Sequence, residues 1–231
     1  MSKSTEKKLK REAKKQQAQR RNHLQRNLLR AFIVVLIPVV LYVLYQGLFG
    51  GAPVYPPEQV SSTDHVLGAE NAPLTITRYG DFQCPSCAAE ATLLASAWPR
   101  ISDRARVVFR HYPLDTYPHS FEAARYAEAA ARQGMFWEMY NYLYSDQASW
   151  SAMQDATQTF DGYAADLGMD IEQLRADAAL PEVREKILAD QRGGTRAGVR
   201  TTPTLYFNGE VVANPRTASE LIQMVNNYLS E

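Results

Sequence analysis

The sequence contains two cysteines, Cys84 and Cys87, which flank Pro85 and Ser86. Two thiols at this spacing can close a disulfide with each other and exchange it with the sulfurs of another molecule. The attacking species is the thiolate, so surroundings that favour the anion turn one thiol into a nucleophile. The motif therefore points first to thiol–disulfide chemistry.

The elements around the motif predict how the two thiols are positioned. Residues 74–79 alternate between apolar and polar side chains as in a strand, and residues 88–98 are strong helix formers. Pro85 suits the first turn of a helix, which places Cys84 among the unpaired N–H groups and the positive dipole end of the helix N-terminus. We therefore predict Cys84 as a partly exposed nucleophile with a pKa below the roughly 8.5 of a free thiol. Cys87, one turn deeper, is predicted as the resolving thiol.

The rest of this region predicts a mixed α/β domain. A second strand is indicated at 105–112, and two more at 204–207 and 210–213 flank an Asn-Gly turn signal. Between them lies a helical insert at about 115–197 without strand signals. Helices are predicted at 120–133, 136–144, 163–167, 171–180 and 182–192, with a closing helix at 217–229. The order is β-α-β, the insert, and β-β-α.

Charge is distributed unevenly along the chain. Residues 1–30 hold 11 Lys and Arg against two Glu, a formal charge of +9, and the remainder carries −9, so that the total is zero. Residues 31–49 hold no charged side chain, and about 20 apolar residues cross a bilayer. We therefore predict a transmembrane signal anchor at 31–49. Because basic residues stay on the cytoplasmic side, residues 1–30 are predicted as a cytoplasmic tail and residues 51–231 as extracytoplasmic.

Other interpretations of this N-terminal part stay open. Residues 31–49 could be a cleaved signal peptide or a buried core helix. The basic tail could bind nucleic acid through phosphate contacts. It has no aromatic residue for stacking, and its role in topology accounts for the charge, so we expect no nucleic-acid partner.

The stretch after the anchor has the composition of a linker. Residues 50–64 are rich in Pro, Gly and Ser, which disfavour regular structure. The folded domain is then expected at residues 65–231, long enough for one sizeable core.

Five stretches of this domain resemble one known family, the DsbA-like thiol–disulfide oxidoreductases, and most closely their membrane-anchored bacterial branch. The stretches are residues 65–68 with 71–73, then 79–87, 109–114, 133–138 and 198–204. The resemblance implies a thioredoxin-like fold with an inserted helical domain, preceded here by one transmembrane helix. It also implies exported protein substrates with thiols or disulfides, and a membrane redox partner that resets the enzyme. No cofactor is needed, because the two sulfurs carry the electrons.

The resemblance implies roles for individual residues. Cys84 would be the exposed nucleophile and Cys87 the resolving thiol of a redox-active disulfide, with Pro85 and Ser86 completing the active-site loop. Strongly oxidising relatives carry His before the second cysteine, where this chain has Ser86. The direction of the reaction, whether oxidation, reduction or isomerisation, therefore stays open.

Two further residues are implied as substrate-binding. Pro203 matches the family's cis-proline, which faces the cysteine pair and holds the extended partner chain. Thr202, directly before it, would present its backbone groups to the substrate.

Alternatives remain for the cysteine pair and for nearby polar residues. A plain structural disulfide would stabilise the fold little, because the loop that it closes is short. A metal carrier or a noncatalytic chaperone on the same fold is a further possibility. A tetrahedral site needs four ligands, and His65, His111 and His119 show no obvious spacing to the cysteines, so no metal site is predicted. Asp81 and Glu90 are expected in capping or exposed roles rather than as proton relays.

Overall fold

The computed structural model of this chain describes Phe32, residues 34–42 and residues 54–230. Phe32 and residues 34–42 are helical. The predicted tail at 1–30, and residues 31, 33 and 43–49 of the predicted anchor at 31–49, lie outside the described residues. Within the described ranges, no helix combines the length and the apolar character that crossing a membrane requires. The elements described next belong to the second of two units, Ala52–Glu231.

A five-stranded mixed sheet of order β1-β3-β2-β4-β5 forms the centre of this unit. The strands are β1 (His65–Leu67), β2 (Leu74–Gly80), β3 (Ala105–His111), β4 (Thr204–Phe207) and β5 (Glu210–Val212). The parallel pairing of β2 with β3 and the β4–β5 hairpin confirm the predicted topology. Strand β1 was not predicted, because three residues are too short to show alternation. It pairs antiparallel with β3 at the sheet edge.

Eight helices follow the predicted order within the part of the chain from residue 54 to 230. They are α1 (Pro85–Ala97), α2 (Ser120–Arg132), α3 (Phe136–Ser145), α4 (Gln147–Trp150), α5 (Thr157–Asp166), α6 (Ile171–Ala178), α7 (Pro181–Arg196) and α8 (Ala218–Tyr228). Helix α4 was missed, and α5 and α7 are longer than predicted. The insert prediction is confirmed, since α2 to α7 lie between β3 and β4.

Two large apolar cores lie around the sheet, besides a smaller cluster that contains Tyr79 and Tyr206. One contains residues of the sheet together with Leu94 of α1 and Leu221 and Val225 of α8. The other joins Phe109 of β3 to the helices of the insert. Both cysteines belong to this second core, so the insert packs directly against the motif.

Residues 54–64, predicted as part of a linker, are instead packed against the sheet. Arg110 of β3 donates hydrogen bonds to the backbone oxygens of Tyr55 and Gln59, at 2.9 and 2.5 Å. It also forms an ion pair with Asp64 at 2.9 Å. The domain therefore begins earlier than residue 65, because a buried guanidinium needs acceptors that this irregular segment supplies.

Candidate active site

Cys84 occupies the N-cap position of α1, with extended backbone angles, and Pro85 begins the helix. The N–H groups of Cys87 and Ala88 donate to the Cys84 carbonyl at 3.0 and 3.2 Å. The local prediction for the motif is therefore confirmed. Pro85 has no N–H to satisfy at this position and its fixed φ starts the helix directly after the cysteine.

The two thiols are both buried, while the residues between them are exposed. Cys84 is 4% exposed and Cys87 0%, and both are free thiols. The prediction of a partly exposed Cys84 is therefore wrong. The reason is long-range: the Cys84 Sγ lies 3.5 Å from the carbonyl oxygen of Thr202, which comes 118 residues later in the chain. Pro85 and Ser86 remain on the surface.

The electrostatics of the two sulfurs differ sharply. A hydrogen bond from the Cys87 thiol lowers the pKa of Cys84 to about 5, against the opposing effect of burial. Thr202 and the backbone N–H groups of Cys87 and Ser86 lower it further. Burial raises the pKa of Cys87, and its hydrogen bond to Cys84 raises it more. Cys84 is thus the thiolate at neutral pH and Cys87 the thiol, in the predicted direction.

The structure brings all the predicted site residues to one place. The Thr202–Pro203 bond is cis, as predicted, and it leads into β4 beside the cysteines. A surface groove of about 560 Å³ is lined by Ser86 and other residues of α1, by Pro203, and by residues 214–218, which lead into α8. The groove is thus lined by residues that follow Cys84 and Thr202 closely in the chain, Ser86 and Pro203.

Two glutamines, not predicted as functional, tie the motif to the helical insert. The side-chain amide of Gln147, in α4, donates to the backbone oxygens of Phe82 and Cys84 at 2.6 and 3.0 Å. The amide of Gln83 donates to the Ser151 carbonyl at 2.9 Å. Sequence reasoning had no signal for these residues, because a glutamine is usually a surface residue.

Asp81 fixes the loop that leads into the motif. Its carboxylate accepts hydrogen bonds from the backbone N–H groups of Gln83 and Leu114, at 2.8 and 2.9 Å, and from the Ser120 hydroxyl at 2.5 Å. Burial raises its pKa, and these hydrogen bonds oppose the rise. Asp81 is buried and fixes the loop, and α1 has no side-chain cap, so the expectation of a capping or exposed role is wrong.

A buried ion pair lies beneath Cys87. Arg78 of β2 is 0% exposed, forms an ion pair with Glu90 and donates to the Cys87 carbonyl at 2.8 Å and to the Tyr140 hydroxyl at 2.6 Å. The expectation of a capping or exposed Glu90 is wrong, because Arg78 supplies a counter-ion under the helix. The positive charge of Arg78 lowers the pKa of Cys87 and opposes the effect of burial. The signal that could have revealed Arg78 is its position in the alternation of β2, where it stands in step with the apolar Leu74 and Ile76.

The histidines and the cysteines do not combine into one group of possible metal ligands in the described part of the chain. Across the described ranges, the one group of three potential metal ligands joins His65 and His111 to Glu128 and includes neither cysteine. His119 instead contacts the Met153 carbonyl, 2.7 Å from its Nε2. The structure therefore gives a metal carrier based on the cysteines no support.

Comparisons with known proteins agree with this architecture. Residues 60–227 match the family model described as Thioredoxin. The crystal structure of BdbD from Bacillus subtilis, in its oxidised form, matches with a TM-score of 0.66 and 19% identity, over 78% of this chain and 99% of that one. A thioredoxin-like oxidoreductase from Silicibacter pomeroyi DSS-3 matches with a TM-score of 0.60 and 23% identity, over 74% and 95% of the two chains.

A curated relative has a higher sequence identity to this chain, but the match covers a smaller part of the relative's length. The Na⁺/H⁺ antiporter NhaA 1 of Mycolicibacterium gilvum (strain PYR-GCK) is 37% identical over 165 residues, which are 69% of this chain and 26% of the antiporter. The chain thus spans about a quarter of the length of that relative. From the family match over residues 60–227 and the shared fold, the chain belongs to the thioredoxin family and has the DsbA-like form of its fold, in which a helical insert interrupts the sheet.

Proposed function

We propose that the chain is a thiol–disulfide oxidoreductase that acts on exported proteins and is tethered to a membrane with its catalytic domain on the extracytoplasmic side. The observation that carries the activity is the difference between the two sulfurs. The pKa of Cys84 is lowered to about 5, while that of Cys87 is raised. A structural disulfide needs no such difference, whereas exchange needs one nucleophile and one resolving thiol.

The exchange runs through a mixed disulfide. In the oxidising direction, a substrate thiolate attacks the Cys84 sulfur of the Cys84–Cys87 disulfide and releases Cys87. A second substrate thiolate then attacks the substrate sulfur of the mixed disulfide, closes the substrate disulfide and releases the Cys84 thiolate. Two electrons pass from the substrate to the cysteine pair. Of the two substrate protons, one ends on Cys87 and the other goes to solvent, because Cys84 stays a thiolate. The membrane redox partner would then oxidise the pair again.

The low pKa of Cys84 favours oxidation of substrates, because a stable thiolate stabilises the reduced enzyme. The value of about 5 lies between about 3.5 for the strong oxidant DsbA and about 7 for thioredoxin. We therefore expect a reduction potential between about −120 and −270 mV, the values of those two proteins. A reductase or isomerase is the second candidate, because Ser86 stands where strongly oxidising relatives carry His.

The surroundings of Cys84 suit an extended partner chain. The Thr202 hydroxyl is buried and lowers the pKa of the Cys84 thiol through a side-chain hydrogen bond, so a substrate sulfur bound at Cys84 would lie beside it. The groove lined by Ser86 and Pro203 leads away from the same point. A polypeptide lying across Pro203 would bring its own sulfur to Cys84.

The tether and its orientation are supported by the sequence. Residues 31–49 are uncharged and follow a tail of formal charge +9, which favours a cytoplasmic N-terminus. Protease added to intact spheroplasts should remove residues 51–231 and leave the tail. A catalytic domain that stays protected until the membrane is opened would contradict this topology.

Cysteine variants test the activity directly. Cys87→Ala should accumulate mixed disulfides with partner proteins, whereas Cys84→Ser should trap none and should lose dithiol oxidation. Ser145→Ala, an exposed serine at the end of α3, is the control and should behave as wild type. Equilibration with glutathione buffers gives the reduction potential. Undiminished function of Cys84→Ser would point instead to a noncatalytic chaperone.

A further inference from the structure

Three side chains from different elements converge at a point that the exchange reaction does not use. They are His65 of β1, His111 at the end of β3 and Glu128 of α2. The Nε2 atoms of both histidines lie 2.8 Å from Oε1 of Glu128. The three potential ligand atoms all lie within 4.8 Å of one another, so one carboxylate oxygen faces two imidazole nitrogens.

This set of donors has the composition of a metal centre. Two imidazoles and one carboxylate are the protein ligands of open zinc sites of the His₂Glu type and of 2-His-1-carboxylate iron sites. Ligand atoms lie about 2.0–2.2 Å from zinc, and therefore about 3.4 Å from each other in a tetrahedral site. Each histidine nitrogen would need to move only about half an ångström away from Glu128 to admit the ion.

The two rings are held with these nitrogens pointing at the carboxylate. The His65 ring stacks on Phe136, with ring centroids 3.5 Å apart and planes 8° from parallel. The His111 ring packs edge-on against Phe109, at a centroid distance of 5.2 Å. Because apolar rings fix both imidazoles, little side-chain entropy is lost when an ion binds.

The cluster is open to solvent on one side. The side chains of His65 and Glu128 are 14% and 10% exposed, while that of His111 is 1% exposed. An open pocket of about 350 Å³ begins at His65 and Glu128, so an ion can reach the site and a water molecule can complete its coordination. The nearest cations of this pocket, Lys186 and Arg132, each form an ion pair with an aspartate, at 2.6 and 3.0 Å.

We propose that His65, His111 and Glu128 bind a divalent transition-metal ion of the zinc type, with the fourth position open to the pocket. The site is separate from the cysteine pair and independent of the function proposed for it. A bound ion would join edge strand β1 to β3 and to α2 of the insert. It would therefore stabilise the fold at the point where the N-terminal segment meets the sheet.

The test uses the full-length chain with both cysteines replaced by serine, so that the thiolates cannot bind the probe. Zn²⁺ is titrated calorimetrically, and Co²⁺ is followed by its visible absorption, which reports the coordination number. We expect one equivalent to bind and to raise the melting temperature, as any ligand of the folded state does. Glu128→Gln and His65→Ala should each weaken binding by more than about tenfold, since even the loss of outer-shell partners has an effect of that size.

The controls are the two other histidines of the chain. His119→Ala and His23→Ala should leave the affinity and the cobalt spectrum unchanged. Glu128→Gln retains the size and one acceptor of the native side chain, so it remains informative if His65→Ala fails to fold. The proposal is overturned if no saturable binding occurs, or if Glu128→Gln binds zinc as tightly as its parent. In either case the cluster is a set of hydrogen bonds alone.

Discussion

Two buried arginines lie on neighbouring strands and serve opposite faces of the same sheet. Arg78 of β2 and Arg110 of β3 are 0% and 2% exposed. In the parallel register Arg78 lies beside Phe109, and Tyr79 lies beside Arg110. Because successive residues of a strand point to opposite faces, the two guanidinium groups leave the sheet in opposite directions.

The two environments differ in how the charge is satisfied. Arg110 bonds both oxygens of Asp64 and several backbone carbonyls of residues 55–59. Arg78 has one carboxylate, Glu90, and donates to one carbonyl, that of Cys87. It is otherwise surrounded by aromatic side chains, with its charge 4.9 Å from the ring centre of Tyr144. Arg110 therefore anchors the segment 55–64 on one face of the sheet. Arg78, on the other face, holds a positive charge under the resolving thiol Cys87.

The largest effect should come from removing the charge under the cysteines. Arg78→Leu leaves Glu90 buried without a counter-ion, and we expect the free energy of unfolding to fall by about 3–5 kcal/mol. The double variant Arg78→Leu/Glu90→Leu should recover most of this loss, because no charge is then buried. Urea unfolding of both variants measures the difference, and equal stabilities would show that the ion pair does not determine it.

Removing the other arginine should have a smaller and more local effect. Arg110→Met removes hydrogen bonds of a charged group, each worth about 1.5–3 kcal/mol, but Asp64 and the carbonyls can reach water once their segment detaches. We expect cleavage by protease and fast hydrogen exchange at residues 54–64, with the rest of the domain protected. Global unfolding without this local release would contradict the anchoring role.

Replacing Glu90, the partner of Arg78, by a neutral residue should change the pKa and the reactivity of the resolving thiol Cys87. The guanidinium lowers the pKa of Cys87, and Glu90 offsets part of its charge. Glu90→Gln should therefore lower the pKa of Cys87 further and speed the resolution of a preformed mixed disulfide, by up to about tenfold for one pKa unit. Asp64→Asn, the matched change on the other face, should leave that rate unaltered. Stopped-flow measurements on both variants separate the two faces.

The smallest effect is expected on the pKa of Cys84 when Arg110, on the opposite face of the sheet, is replaced. The alkylation rate of Cys84 should rise with pH around a midpoint of about 5, and Arg110→Met should leave that midpoint in place.

The pKa of Cys84 in the folded protein lies below the roughly 8.5 of an unfolded thiol. The reduced protein should therefore gain stability as pH rises between these values, and lose it as pH falls through about 5. The oxidised protein should lack this dependence, and a midpoint at 8.5 would contradict activation at the helix terminus.

Short-range patterns account for what could be predicted from the sequence. The strand at 74–79, Pro85 after Cys84 and the Asn-Gly turn each act within a few residues, and the elements that they predicted are present. The burial of Cys84 could not be predicted, because it depends on Thr202, 118 residues away. The same holds for Gln147, because nothing in the neighbouring sequence indicates its hydrogen bond to the backbone of Cys84, 63 residues earlier.

The sequence distance between these parts has a consequence for the order of synthesis. Cys84 emerges from the ribosome long before Gln147 and Thr202, since synthesis runs from the N-terminus. A chain that ends before residue 202 lacks the cover over the sulfur and the contribution of Thr202 to its acidity. The nascent protein therefore carries a more ordinary thiol, and the full reactivity of the site is reached only after the last strands of the sheet have been made.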